Sequence, residues 1–202
     1  MFEPELCNRF ENRGEIDGGS FDAKTAANGN SIGKDFADKN VPNLLTNSEP
    51  YCKIRVERSC LIVKPDGVCK NICGQIFATL QNNNLKLIAL KMLKPSKEVI
   101  EQFYSIHIGK PFFEKLISFM LKAPIIVSVW EGENAVAKIR QLIGATNSAD
   151  AAPGTLRAKY GTDNRRNVVH ASDSTASADI EIKHFFADHE IFHYSQDAWK
   201  ED

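Results

Sequence analysis

From residue 57 onward, apolar residues fall into short blocks that alternate between the spacing of a strand and that of a helix. The strand-like blocks are short, largely apolar and bounded by turn residues: 59–64, 85–91, 125–130 and 167–170. The first block ends in Lys64-Pro-Asp-Gly67, which predicts a turn. The helix-like blocks repeat every three or four residues: 74–81, 96–104, 111–120, 135–143 and a last one that begins at Asp173 or Ser174. This order predicts an α+β domain with a ferredoxin-like βαββαβ antiparallel sheet and helices packed mainly on one face.

Two long segments lack this periodicity. Residues 1–56 are rich in Asn and Gly, and we expect them to form a flexible extension before a domain at 57–193, with 194–202 as a C-terminal tail. Residues 145–166 are polar and basic, and long loops of this kind inside a domain are often functional.

Composition and charge argue against a membrane-spanning or secreted protein and suit a phosphate ligand. The 202 residues carry a formal net charge of -1, but residues 1–50 hold 9 acidic and 5 basic side chains, so the remainder has a net charge of +3. A mildly cationic domain suits a ligand with phosphates. No apolar run approaches the ~18 residues of a membrane span, and the start of the chain lacks the features of a signal or transit peptide. The odd number of cysteines, 5, fits reduced thiols. We therefore expect a cytoplasmic protein without a membrane partner.

Neither common phosphate-binding motif is present, since no stretch fits G-x-x-x-x-G-K-[ST] or G-x-G-x-x-G. Lysine and arginine side chains neutralise phosphate charge in other ways. Candidates for that role, with polar neighbours, are dispersed over about 100 residues: Lys64, Arg140, Thr146, Arg157 and Asn167. They form a site only if the fold brings them together.

His170 lies at the end of the last predicted strand and is followed by small polar residues. A neutral imidazole is a competent nucleophile for phosphoryl transfer when one ring nitrogen attacks and an acceptor holds the other. Glu181, on the next helix, is a candidate for that acceptor. From spacing alone, a hydrogen-bonded structural histidine is the commoner outcome.

Several short strings together resemble the nucleoside diphosphate kinase family over about residues 57–193. The segment Asn167-Val-Val-His-Ala-Ser-Asp-Ser174 is similar to the family's active-site signature. Four further strings resemble its opening strand, its base clamp and its phosphate loop, in the same order: Glu57 to Gly67, Lys110-Pro-Phe-Phe113, Gly144-Ala-Thr-Asn147 and Pro153-Gly-Thr-Leu-Arg157.

This resemblance implies a ping-pong reaction that maintains pools of nucleoside triphosphates. The γ-phosphate of a triphosphate, typically ATP, passes to His170 and then to a different nucleoside diphosphate. The resemblance implies phosphate- and ribose-binding roles for Lys64, Tyr104, Arg140, Thr146, Arg157 and Asn167. It places His107 near the phosphates, Phe112 against the base with Phe113 in the core, and Glu181 and Ser172 in support of His170. It further implies a Mg²⁺ ion held mainly by the nucleotide phosphates and a homo-oligomer, either a hexamer or a tetramer, without an obligatory nucleic acid.

An alternative within the family is a non-catalytic regulatory or nucleic-acid-binding member. The intact set of Lys64, Arg140, Arg157, Asn167 and His170 favours the enzyme, because a binding module needs no nucleophile.

The chain departs from the family's pattern at a few positions. Ala171 stands where glycine is usual, and Ser148 replaces a common proline. Asn164 and Arg165 occupy places beside the base that often hold an apolar residue and a glycine, which leaves the second side of the base clamp open.

Overall fold

The computed structural model describes residues 56–200, which contain a four-stranded antiparallel sheet. Its strands are β1 (Val56–Val63), β2 (Lys86–Leu93), β3 (Ile125–Glu133) and β4 (Val169–Ala171). Their order across the sheet is β2-β3-β1-β4. The predicted ferredoxin-like α+β fold is confirmed, since β1 lies between β3 and β4 and each crossover carries helices.

The helices connect these strands and follow the last one. They are α1 (Pro65–Cys69), α2 (Cys73–Gln81), α3 (Lys97–Phe103), α4 (Phe113–Met120), α5 (Ala135–Ile143), α6 (Leu156–Tyr160) and α7 (Thr175–Phe185). Short 3₁₀ turns lie at Ser105–His107, Ser148–Asp150, Asp188–Glu190 and Ala198–Lys200. None of the helices in the described part of the chain has both the length and the apolarity to cross a membrane.

Helices cover both faces of the sheet, so the expectation that they pack mainly on one face is wrong. Along β1, Cys60 and Ile62 belong to a core that includes residues of α3, α4 and α7. Leu61 and Val63 belong to a second core, with residues of α2, α5 and α6. The physical reason is visible in β1, where successive side chains from Cys60 to Val63 are all fully buried.

Three local elements differ from the sequence prediction. The predicted turn at Lys64–Gly67 opens α1, in which Pro65 occupies the first turn. The predicted loop at 145–166 contains α6, which begins after Thr155, whose side chain accepts a hydrogen bond from the Ala158 amide. The last strand begins at Val169 rather than Asn167. Of the two predicted caps of the final helix, the structure uses Ser174.

The predicted extension at 1–56 lies outside the described residues except for Val56, which begins β1. The boundaries at 57–193 and 194–202 stay predictions. The segment after α7 contacts β2, because the Phe192 amide donates to the Ile88 carbonyl and the Tyr194 hydroxyl donates to the Leu87 carbonyl.

Candidate active site

The dispersed candidates converge on one pocket of about 410 Å³ at the end of β1 and β4. Ten of the predicted site residues line it: Lys64, Tyr104, His107, Phe112, Arg140, Thr146, Arg157, Asn167, His170 and Glu181. Ser172 lies behind them, fully buried, and contacts Glu181. Antiparallel pairing explains the convergence, since His170 pairs with Ile62, two residues before Lys64.

His170 is held by a carboxylate. Its Nε2 lies 3.0 Å from Oε1 of Glu181, and Oε2 of Glu181 accepts a hydrogen bond of 2.7 Å from the Ser172 hydroxyl. Ser172 Oγ in turn accepts from the Cys60 amide at 3.0 Å, which ties the chain of contacts to β1. Because an ionised carboxylate only accepts hydrogen bonds, Nε2 carries the ring proton and donates it to this contact, and a neutral ring has its free lone pair on Nδ1.

Aromatic neighbours fix the plane of the imidazole. The rings of Phe103 and Tyr104 meet it edge to face, at centroid distances of 5.1 and 6.0 Å. Burial raises the pKa of the Tyr104 hydroxyl, with the charge of Glu181 adding to the effect. Within residues 56–200 that hydroxyl is buried and has no hydrogen-bond partner, so it is a neutral donor available to a ligand.

Lys64 and Asn167 form the deepest polar pair of the pocket. The Lys64 ammonium donates to Oδ1 of Asn167 at 2.6 Å, and the Asn167 amide nitrogen donates to the carbonyls of Thr146 and Asn164 at 2.7 and 3.0 Å. Burial first, and the nearby charge of Arg157 second, lower the pKa of Lys64 to about 7. An anionic ligand would restore the charge of this lysine.

Arg157 joins two parts of the fold and also contributes positive charge to the pocket. Its two terminal nitrogens donate to the carbonyls of Gly144 and Val169, each at 2.9 Å. They therefore join the end of α5 to β4. Burial first, and the charge of Arg140 second, lower the pKa of Arg157 to about 10, so the group is cationic at neutral pH.

A strained turn separates Asn167 from the strand that carries the histidine. Val168 has a φ of 61°, and the Val169 amide donates to the Asn167 carbonyl at 2.7 Å, as in a γ-turn. A positive φ is costly for a β-branched residue. The turn is nevertheless held, because the Val168 amide donates to Asp66 Oδ2 at 3.1 Å and its carbonyl accepts from the Lys64 amide at 2.9 Å.

Gly67 completes this support. A Cβ atom at Gly67 would lie 2.8 Å from the Val168 carbonyl oxygen and 2.7 Å from a methyl group of Val63. The sequence predicts the turn that contains Asp66 and Gly67 but indicates no role in the site for either residue. The Asp-Gly pair after Pro65 was the available signal.

The mouth of the pocket is aromatic. Phe112 is 48% exposed, whereas Phe113 is buried in the core beneath it. The His107 ring meets Phe112 at a centroid distance of 5.4 Å, and the Lys110 ammonium lies 5.9 Å from the Phe112 centroid. Burial lowers the pKa of His107, and the charges of Lys110 and His170 add to the effect.

A histidine held by a carboxylate on the wall of a cationic pocket, within an α+β fold, is typical of an enzyme that handles phosphates. Residues 57–191 match the family model described as nucleoside diphosphate kinase. The chain is 50% identical over 136 residues to the nucleoside diphosphate kinase of Persephonella marina, covering 67% of this chain and 97% of the relative. The chain therefore belongs to the nucleoside diphosphate kinase family.

Solved structures agree with this assignment. The Aquifex aeolicus nucleoside diphosphate kinase superposes with a TM-score of 0.67 at 40% identity, covering 68% of this chain and all (100%) of that one. A halophilic nucleoside diphosphate kinase from Halobacterium salinarum, in complex with CDP, gives a TM-score of 0.69 at 39% identity, covering 72% and 97%. The predicted family and phosphotransferase activity are confirmed. The alternative of a non-catalytic regulatory or nucleic-acid-binding member receives no support.

Proposed function

We propose that this kinase acts through a phosphohistidine at His170, with Nδ1 as the attacking atom. The observation that carries the proposal is the contact of Nε2 with Glu181, which leaves Nδ1 as the nitrogen with a free lone pair. The Ser172 hydroxyl fixes the second oxygen of the same carboxylate. Glu181 and Ser172 are thus positioning residues for the ring.

In the first half-reaction, the Nδ1 lone pair attacks the γ-phosphorus of a nucleoside triphosphate. The bond from that phosphorus to the bridging oxygen breaks, and the diphosphate leaves with the electron pair. Glu181 stabilises the positive charge that develops on the ring by accepting from Nε2–H. In the second half-reaction, a terminal oxygen of a different nucleoside diphosphate attacks the phosphohistidine, and the electron pair returns to Nδ1.

The pocket supplies charge stabilisation and positioning, which are most of what phosphoryl transfer requires. Lys64, Arg140 and Arg157 bring positive charge to the wall that contains His170. Thr146, Asn167 and Tyr104 contribute further polar groups to the phosphates and ribose, and His107 contributes an imidazole. Phe112 offers an exposed ring face for stacking, an interaction that tolerates every base.

The side chains of the pocket fit a Mg²⁺ ion that arrives with the nucleotide phosphates. Among residues 56–200, no group of three or more His, Cys, Asp or Glu side chains is arranged to hold a metal. The carboxylates that line the pocket are Asp173 and Glu181, and the latter is already engaged with His170 and Ser172. When bound, such an ion neutralises part of the phosphate charge.

The proposal is tested by incubating the protein with γ-labelled ATP and measuring the retained label. We expect the wild type to carry an acid-labile, alkali-stable label that chases onto added GDP. His170→Asn should carry none, whereas His189→Asn, a change at an exposed histidine outside the pocket, should label like the wild type. Transfer to GDP by His170→Asn at the wild-type rate would refute the proposed nucleophile.

The predicted homo-oligomer is supported by apolar side chains on β2, an edge strand, where Leu90 and Met92 are 49% and 59% exposed. Light scattering on the wild type and on Leu90→Lys tests this: the wild type should be a multimer and the variant should dissociate. The choice between hexamer and tetramer, and the cytoplasmic location, stay predictions of the sequence.

A further inference from the structure

A loop arginine, Arg165, lines the same pocket as Phe112. Asn164 and Arg165 both face this pocket, from the loop that precedes β4. Arg165 is only partly exposed, and its Nε is buried with no hydrogen-bond partner among the described residues. An unsatisfied buried donor is costly, which points to a ligand that accepts from it.

The side chain of Asp163, two residues before Arg165, is engaged with groups other than the Arg165 guanidinium. Oδ1 of Asp163 accepts hydrogen bonds from the backbone amides of both Arg165 and Arg166, at 2.9 and 2.6 Å. Its other oxygen, Oδ2, pairs with the guanidinium of Arg166, at 2.8 Å from Nε and 2.6 Å from Nη2. The carboxylate beside these two arginines thus fixes the loop and pairs with Arg166, so that the guanidinium of Arg165 remains for the pocket.

The depth of the pocket indicates which part of a nucleotide Arg165 meets. The groups suited to phosphate are deep, since Lys64, Arg157 and Asn167 are exposed by 6%, 7% and 1%. The aromatic face at Phe112 is at the mouth, and Arg165 is more exposed than the deep cations. A nucleotide with its phosphates at His170 and its base on Phe112 would bring the edge of the base to the loop that carries Arg165.

We propose that Arg165 is a specificity-determining residue that favours nucleotides whose base presents an oxo group, guanine and uracil or thymine, over adenine and cytosine. The proposal rests on the proposed function for the placement of the phosphates. A guanidinium only donates hydrogen bonds, and it pairs with O6 and N7 of guanine or O4 of uracil. In place of these oxo groups, adenine and cytosine present amino donors, although adenine keeps the N7 acceptor.

Equilibrium binding of GDP and ADP at pH 7, measured by calorimetry, tests the proposal. The wild type should bind GDP more tightly than ADP by about five-fold or more, as one good base contact allows. Arg165→Ala should bring the two dissociation constants to within about two-fold of each other, mainly by weakening the binding of GDP. Arg165→Gln, which can pair with the adenine edge, should shift the ratio toward ADP.

Lys159→Ala is the control, because it removes one positive charge from an exposed position of α6 outside the pocket, and it should retain the wild-type ratio. Thermal unfolding of each variant establishes that it is folded before binding is compared. If Arg165→Ala weakened the binding of GDP and of ADP equally, the guanidinium would contact the phosphates rather than the base, and the proposal would be overturned. A wild type that does not discriminate between the two nucleotides would also overturn it.

The ratio of GDP to ADP binding tests this proposal, and labelling from ATP tests the proposed function on which it rests, so the two can fail separately. If the wild type labels at His170 but its GDP-to-ADP ratio does not depend on Arg165, the specificity proposal fails and the proposed function stands. If the ratio depends on Arg165 but no label forms, the proposed nucleophile fails and the specificity proposal stands.

Discussion

Nucleotide binding should weaken steeply as the pH rises from 7 to 9, because the buried Lys64 loses its proton in this range. Its ammonium donates to Asn167 at 2.6 Å, and burial together with the charge of Arg157 lowers its pKa to about 7. A nucleoside diphosphate brings negative charge to this group, so it binds the protonated form. The other shifted groups of the pocket lie outside the range, since the pKa of Arg157 is about 10 and that of His107 is lowered from 6.5.

The size of the effect follows from the protonated fraction. With a pKa of about 7, Lys64 is about half protonated at pH 7 and about one-hundredth protonated at pH 9. The dissociation constant for ADP should therefore rise about 50-fold across these two units. At pH 8, binding should take up about 0.9 proton per nucleotide.

Stability without ligand should move in the opposite direction. In the unfolded chain, Lys64 returns to its ordinary pKa of 10.5, so the unfolded state binds more protons than the folded state between about pH 7 and pH 10.5. The contribution of Lys64 to the free energy of unfolding thus rises with pH in this window. Protonation of the folded form costs stability, and a bound phosphate group offsets that cost.

Calorimetric titration of ADP at pH 7, 8 and 9, in buffers of different ionisation enthalpy, measures both affinity and proton uptake. Lys64→Met should bind weakly, with little dependence on pH. Lys115→Met, a change at an exposed lysine of α4 outside the pocket, should follow the wild type. A wild-type dissociation constant that changes less than about three-fold between pH 7 and pH 9 would refute the reasoning.

Three further substitutions, one of them with a matched control, test the supports of the site. Gly67→Ala places a Cβ 2.8 Å from the Val168 carbonyl oxygen and should lower the free energy of unfolding, measured in urea, by about 1–3 kcal/mol. Gly74→Ala is the control: its Cβ, on helix α2, would meet nothing within 4 Å, and the free energy of unfolding should rise by up to about 1 kcal/mol. Arg157→Lys cannot make both carbonyl contacts and should cost about 1–3 kcal/mol, so an unchanged melting temperature would contradict its role as a clamp. Ser172→Ala removes the hydroxyl bonded to the carboxylate beside the imidazole and should slow labelling from ATP by about ten-fold or more, while ADP affinity stays constant.

The sheet could be predicted from sequence because its strands are short apolar blocks between turn residues. Two helices were missed for local reasons. The first, α1, consists of five residues that begin with proline and include glycine, a composition typical of a turn. The other, α6, also has five residues, and Leu156 is its buried apolar residue, so it has no periodicity to detect.

The start of β4 was misplaced because no sequence pattern indicates a positive φ at Val168. A β-branched residue favours extended backbone, and the positive φ is imposed by Asp66, Lys64 and Gly67, about 100 residues earlier in the chain. The same separation along the chain limits how much of the site can be predicted from residue types alone. Residue types suggested a phosphate ligand, but only the pairing of β1 with β4 brings Lys64 beside Asn167.

Because the site depends on the pairing of β1 with β4, we expect activity to appear late in synthesis. The Cys60 amide and the Ser172 hydroxyl that bond across these strands are 112 positions apart in the chain, and Glu181 follows on α7. Contacts of such long range form late, after the cost of closing the loop has been met. We therefore expect a nascent chain whose α7 is still within the ribosome to lack the carboxylate beside His170, and phosphoryl transfer to begin only when the fold is complete.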